Sequence, residues 1–212
     1  MLVFSARNYY RLFELYNAAV WPAHIVALAL GLAVLFCFWR GMGRAMAVVL
    51  AVAWTWVALV FHVQYFSTIT PFAPTFAAGT GLEAVLIAWT GAVRGGLAPV
   101  RDGSLSARVG LGIHLAALVG LPALGLAMGR TVGQTEIFAL APDPTALATI
   151  GLLLAVRRIH WHLLVIPFLW CVNTGVTLVA MKVPDALVVP ALAAAAILLA
   201  AVRGPGRGRA GS

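Results

Sequence analysis

Residues 45–65 read AMAVVLAVAWTWVALVFHVQY, a run without a single Asp, Glu, Lys or Arg. An α-helix rises about 1.5 Å per residue and the hydrocarbon core of a bilayer is about 30 Å thick, so this run is long enough for one membrane crossing. Similar runs recur along the chain, which is 63% apolar and 9% charged. A water-soluble domain of 212 residues cannot bury so much apolar surface in one core. The sequence therefore predicts an all-α, polytopic membrane protein that has the lipid bilayer as its main partner.

Seven segments are predicted to span the membrane, one of them short. They are residues 18–39, 45–65, 75–93, 107–128, 144–156, 161–181 and 184–202. Ahead of them, apolar side chains recur at helical spacing within residues 1–17, which predicts an amphipathic helix in the membrane interface. The chain is thus divided into this interfacial helix, a transmembrane domain over 18–202, and a disordered basic tail over 203–212.

The distribution of Lys and Arg predicts the orientation of the spans. With the N-terminus outside, the inner side holds ten basic residues: Arg40, Arg44, Arg94, Arg101, Arg108, Arg157, Arg158, Arg203, Arg207 and Arg209. The outer side then holds four: Arg7, Arg11, Arg130 and Lys182. The bias predicts an N-out, C-in topology. Because the basic residues occur singly or in pairs and form no stripe, the net charge of +8 does not indicate nucleic acid as a partner.

The fifth span is unusually short. Asp143-Pro144 has the pattern of an N-cap followed by proline at the first helical position, and about 13 residues separate it from Arg157. That length is roughly 20 Å, less than a full crossing. Either residues 136–142 dip inward to meet the helix, or the bilayer thins around it. Non-helical backbone at that depth has to be buried in protein or line a water-filled cavity.

Polar residues of the outer half form the predicted ligand-binding set: His24, His62, Gln64, Tyr65, Glu83, Asp143 and Asn173. Glu83 is the only acid well inside a predicted span, which indicates a pathway, a relay or a paired partner. The alternative is a protonated or hydrogen-bonded glutamate that joins helices. The buried helix start at Asp143 suits an anion or polar ligand, unless Asp143 itself caps the free amides.

His24 and His62 lie at similar depths on consecutive antiparallel spans, so they are the candidates for a metal or haem site. Two neutral imidazoles could hold haem b or copper. The alternative is a pair of hydrogen-bonded interfacial or interhelical histidines, because no third ligand stands out. His160-x-His162 resembles a chelate, but two arginines precede it and an interfacial turn explains it better.

No catalytic motif is present in the sequence. It has no H-E-x-x-H and no G-x-S-x-G, and the only lysine, Lys182, lies outside the last span. We therefore expect a non-enzymatic role, as a small transporter or solute-binding protein with a polar pocket opening outward. The alternatives are a haem- or metal-binding redox subunit and an accessory or scaffold subunit, so a protein partner or a homo-oligomer stays open.

Four motifs resemble a known family: YNAAVWP (16–22), WTWVALVFHVQYFS (54–67), APDPTALATIGLLL (141–154) and VIPFLWC (165–171). In this order they are similar to the domain of unknown function 6064 family of bacterial membrane proteins. The resemblance implies a multi-pass protein of the bacterial inner membrane and implies no activity. The stretch TITPFAP departs from the family, which usually has something like Ile-Asn-Pro-Ala there.

Overall fold

Helices make up most of residues 5–203, the part of the chain that the computed structural model describes. The main ones are α1 (Ala6–Val20), α2 (Ala23–Arg40), α3 (Gly43–Thr68), α4 (Ala73–Val93), α5 (Leu105–Ala127), α6 (Pro142–Leu154), α7 (Trp161–Ala180) and α8 (Val188–Arg203). This confirms the all-α fold class. The predicted tail lies outside the described residues except for Arg203, which ends α8.

Five of these helices are long and apolar enough to cross a membrane: α2, α3, α4, α5 and α7. Large apolar side chains also cover the outer surface of the bundle, as Ile25, Leu32, Phe36 and Val176 show with more than half of their surface exposed. An exterior this apolar is compatible with contact with lipid. The α8 helix is apolar but shorter, with 16 residues.

The short α6 helix is the centre of the bundle. All of its 13 residues are buried, and it packs against α3, α5, α7 and α8. Its contact with α5 is backbone against backbone, because a Cβ added at Gly110 would lie 2.3 Å from the carbonyl oxygen of Gly151. Since neighbouring helices surround α6 on all sides, its length does not have to match the thickness of a bilayer.

The backbone that leads into α6 is buried and non-helical, as one of the two sequence-based alternatives requires. Phe138 to Ala141 are almost fully buried, and Ala139 has a φ of 66°. The Ala139 amide donates to Thr145 Oγ1 at 2.9 Å, and the Tyr16 hydroxyl donates to the Leu140 carbonyl at 2.9 Å. These side chains satisfy backbone groups that would be costly to bury unpaired.

The start of α6 corrects one prediction. Asp143 is not the N-cap: Ala141 occupies that position, without a side-chain cap, and Pro142 begins the helix. Pro142 fits the first turn as well as Pro144 does, because its φ is already helical and it has no N–H to satisfy. Asp143 therefore lies one residue inside the helix, and its carboxyl group bonds to α7.

The α1 helix exists as predicted, and its apolar face packs on the bundle. The rings of Phe13 and Phe61 stack with centroids 5.4 Å apart, and Tyr16 contacts Tyr65 edge to face at 4.9 Å. Tyr9 and Leu12 are buried on the same face. The position of α1 in a membrane interface stays a prediction.

Candidate functional site

A cleft lies between α5, α6, α7, α8 and the loop that connects α5 to α6. The space within it that can hold water is about 30 Å³, and it is partly open to solvent. Its charged side chains are Arg130, Glu136, Asp143 and Asp185. Leucine and valine side chains form the rest of the wall: Leu121, Leu124, Leu178, Val188 and Val189.

Asp143 is the deepest acid of this cleft, with 3% of its surface exposed. Its Oδ1 accepts a hydrogen bond from Trp170 Nε1 at 2.5 Å and another from Thr174 Oγ1 at 2.7 Å. The two donors are four residues apart on α7 and so lie on one face of that helix. They fix the Asp143 carboxyl group at the buried end of the cleft.

Glu136 lines the cleft with Asp143, near enough for the charge of one to act on the other. The Tyr9 hydroxyl donates to Glu136 Oε1 at 3.4 Å, while Oε2 is buried with no hydrogen-bond partner among the described residues. Burial, and next to it the charge of Asp143, raises the pKa of Glu136. These surroundings therefore favour the protonated form of Glu136.

Arg130 is bound to Asp185. Its Nη2 lies 2.6 Å from both carboxylate oxygens of Asp185, in an ion pair that is largely buried. The guanidinium also lies over the ring of Tyr10, 4.9 Å from the centroid, and its charge opposes the rise in the pKa of Glu136. The cleft lining therefore has three acids, Glu136, Asp143 and Asp185, and one arginine.

His62 connects to the same site through Trp170. The two rings meet edge to face with centroids 5.0 Å apart. His62 is fully buried in a π-helical stretch of α3, Val57–Tyr65, and its Nδ1 lies 3.3 Å from Thr80 Oγ1. Such stretches often occur at functional sites, because the wider turn redirects side chains.

Glu83 is fully buried on α4, one turn along from Thr80 on the same buried face. Neither of its carboxylate oxygens has a hydrogen-bond donor within the described part of the chain. Trp170 thus links His62 to Asp143, while Glu83 is related to them only by its position one turn from Thr80 on α4.

The other predicted site residues have different surroundings. His24 bonds to Asn17 Oδ1 at 3.2 Å, and none of its hydrogen-bond or ring partners is shared with His62. Gln64 is exposed and Tyr65 is half-buried. Asn173 lines a second, smaller cavity of about 20 Å³ with Trp170 and Thr174.

Nothing in residues 5–203 has the arrangement of a site with three or more His, Cys, Asp or Glu ligands for a metal. The Asn17 amide that holds His24 also donates to the carbonyls of Gly133 and Thr135, at 2.7 and 2.9 Å. His24 therefore belongs to a set of hydrogen bonds that fastens the loop before α6 to α1.

Sequence reasoning did not place in the site five residues that line the cleft or the second cavity: Arg130, Glu136, Trp170, Thr174 and Asp185. Two signals were available. Trp170 and Thr174 have the i, i+4 spacing of one helix face, and Arg130 and Asp185 carry opposite charges in loops on the same predicted side of the membrane. Neither signal specifies how each helix is rotated about its axis, and that rotation decides whether such residues come into contact.

The chain belongs to a family of unknown function, DUF6064, whose family model matches residues 6–207. The resemblance seen in the sequence motifs is therefore confirmed. No curated protein and no solved structure matches the chain. Since family membership assigns no activity, the function has to be argued from the cleft.

Proposed function

We propose that this member of the family is a seven-span bacterial inner-membrane protein that binds a small solute in the cleft, as a transporter or solute-binding protein. The spans are α2 to α8, with α6 as the short fifth one. Burial of α6 on every side supports its inclusion, because a helix without lipid contact needs no full-length apolar surface.

The N-out, C-in orientation is part of the proposal and has support from the arginines. Arg101 donates to the Trp39 carbonyl at 3.1 Å, and Arg203 donates to the Arg157 carbonyl at 3.3 Å. Residues from the ends of α2, α6 and α8 therefore meet at one end of the bundle, which is the end with the excess of predicted inner arginines. The cleft, with Arg130 and Asp185, then opens at the outer end.

The charge of the cleft supports a positively charged solute. The Glu136–Asp143 pair is the observation that carries this step, because the cleft's arginine is already bound to Asp185. A solute with an ammonium group can bind both acids as carboxylates once Glu136 releases its proton and the cleft widens to admit the solute. The leucines and valines of the wall suit a short apolar body. We therefore propose small primary amines as the solute class.

Thermal unfolding of the purified protein with a panel of solutes tests this proposal. Primary amines with short alkyl chains should raise the unfolding temperature, and carboxylic acids of matched size should not. A ligand at 100 times its Kd stabilises a protein by about 2.7 kcal/mol. The response should disappear in Asp143→Asn and persist in Asp102→Asn, the same change on an exposed residue at the opposite end of the bundle.

Two results would contradict the proposal. The first is stabilisation by the carboxylic acids equal to that by the amines, which would mean that the cleft does not select positive charge. The second is an amine response in Asp143→Asn that equals the wild-type response, which would place binding elsewhere.

A further inference from the structure

Glu83 is a buried acid that does not line the cleft. No part of its surface is exposed, and no described group donates to either carboxyl oxygen. An ionised carboxylate buried without a partner is strongly unfavourable, so such a group takes up a proton instead. The surroundings of Glu83 therefore favour the neutral acid.

His62 faces the same helix surface with a free acceptor. Thr80 donates its hydroxyl proton to the Phe76 carbonyl at 2.8 Å, so its oxygen accepts from His62 Nδ1–H. In the neutral imidazole this leaves Nε2 unprotonated, and Nε2 is buried with no donor among residues 5–203. Thr80, which bonds to the His62 ring, lies one helical turn along α4 from Glu83, whose carboxyl group also has no partner within the described part of the chain.

We propose that Glu83 and His62 form a proton-binding site in the core of the bundle, distinct from the solute cleft. Glu83 holds the proton in the resting state. When the proton moves from the Glu83 carboxyl group to Nε2 of His62, the imidazolium that forms stabilises the carboxylate. The site needs no solute. It can therefore be present whether or not the proposed function is correct.

Few other titratable groups face this site. The helices packed against α4 are α3 and α7. Their titratable side chains, apart from His62, are Arg44, Tyr65, His162 and Cys171. Arg44 lies against Gly95 and His162 bonds to Thr90, both near the far end of α4, while Tyr65 packs on Tyr16. The buried Cys171 is the remaining group.

The site is linked to the cleft through one side chain. Trp170 contacts the His62 ring and donates its N–H to Asp143. A change in the charge of His62 therefore acts on the ring that positions the cleft's deepest acid. If the proposed function holds, this link couples proton binding to solute binding.

Infrared difference spectroscopy of the purified full chain, titrated with alkali, tests the proton site directly. The wild-type protein at pH 7 should show a C=O stretching band of a protonated carboxylic acid that is missing in Glu83→Gln. The band should remain in Asp102→Asn, and it should also remain in Glu136→Gln, which removes the separate band of the cleft pair. Glu83→Gln keeps the shape of the side chain and is expected to fold.

The titration of that band then tests the role of His62. Its midpoint should move to higher pH by about one unit in His62→Gln, which is a tenfold change in proton affinity, because the carboxylate loses its stabilising neighbour. A spectrum of Glu83→Gln identical to wild type would overturn the proton site. An unchanged midpoint in His62→Gln would overturn the pairing. If the wild-type protein binds no amine and both infrared results are as expected, only the proposed function is contradicted.

Discussion

Trp170 is the residue on which the polar groups of the bundle converge, because it contacts His62 and donates to Asp143. Trp170→Phe keeps an aromatic ring but removes the N–H donor. We expect the free energy of unfolding to fall by about 1–3 kcal/mol, because the buried Asp143 Oδ1 loses one of its two donors and keeps only Thr174. Chemical denaturation in detergent measures the change. Trp161→Phe, at an exposed tryptophan of the same helix, should change stability by no more than about 0.5 kcal/mol.

Glu136 makes the folding stability of the protein depend on pH, and its raised pKa determines the direction of that dependence. Its pKa is raised, chiefly by burial, so the folded state keeps a proton that the unfolded chain releases above the ordinary pKa of glutamate. Stability from this group is complete below that ordinary value and is lost as pH rises through the raised one. Glu136→Gln should therefore flatten the fall of the unfolding temperature as pH rises above the ordinary pKa of glutamate.

Glu14 serves as the control for the pH dependence of the unfolding temperature, because its pKa is shifted in the opposite direction. Hydrogen bonds from Arg11 and then Gln134 lower its pKa, so its contribution to stability appears as pH rises and has the opposite sign. If the unfolding temperature of Glu136→Gln falls with pH as steeply as that of the wild-type protein, another group is responsible for the pH dependence.

At the level of elements, the contact between α5 and α6 depends on two glycines. A side chain at Gly110 would collide with the backbone of Gly151, and backbone cannot move aside as a flexible side chain can. Gly110→Ala should therefore destabilise the protein by about 1–3 kcal/mol, as overpacking does. Gly112→Ala is the matched control on the same helix, because nothing lies within 4 Å of its added Cβ. It should be neutral or stabilising by up to about 1 kcal/mol. Equal stabilities for the two variants would contradict the close packing of α6.

Sequence reasoning was most successful for the elements and least successful for their rotation. Apolar runs predict the helices because length and hydropathy are local properties, and the short fifth segment is recognisable for the same reason. The N-cap assignment of Asp143 was wrong because Pro142 and Pro144 both suit a first turn, and only the donors on α7 decide between them. The bonds from Trp170 and Thr174 depend on how α7 faces α6, which one sequence does not specify.

For the whole molecule, the proposed topology predicts which residues face each side of the membrane. Single cysteines at Ser67 and at Asp102, in a chain with Cys37→Ala and Cys171→Ala, place one exposed thiol at each end of the bundle. A membrane-impermeant maleimide applied to intact spheroplasts should label Ser67→Cys, and it should label Asp102→Cys only after permeabilisation. The reverse pattern would contradict the N-out orientation and place the cleft on the cytoplasmic side.

The central claim is that the Glu136–Asp143 pair binds a small amine in the cleft, and calorimetric titration of the purified protein with the most stabilising amine tests it most directly. The account predicts one binding site per chain, with affinity lost in Asp143→Asn and kept in Asp102→Asn. Binding to Asp143→Asn with wild-type affinity, or no heat of binding for any amine in the wild-type protein, would contradict it.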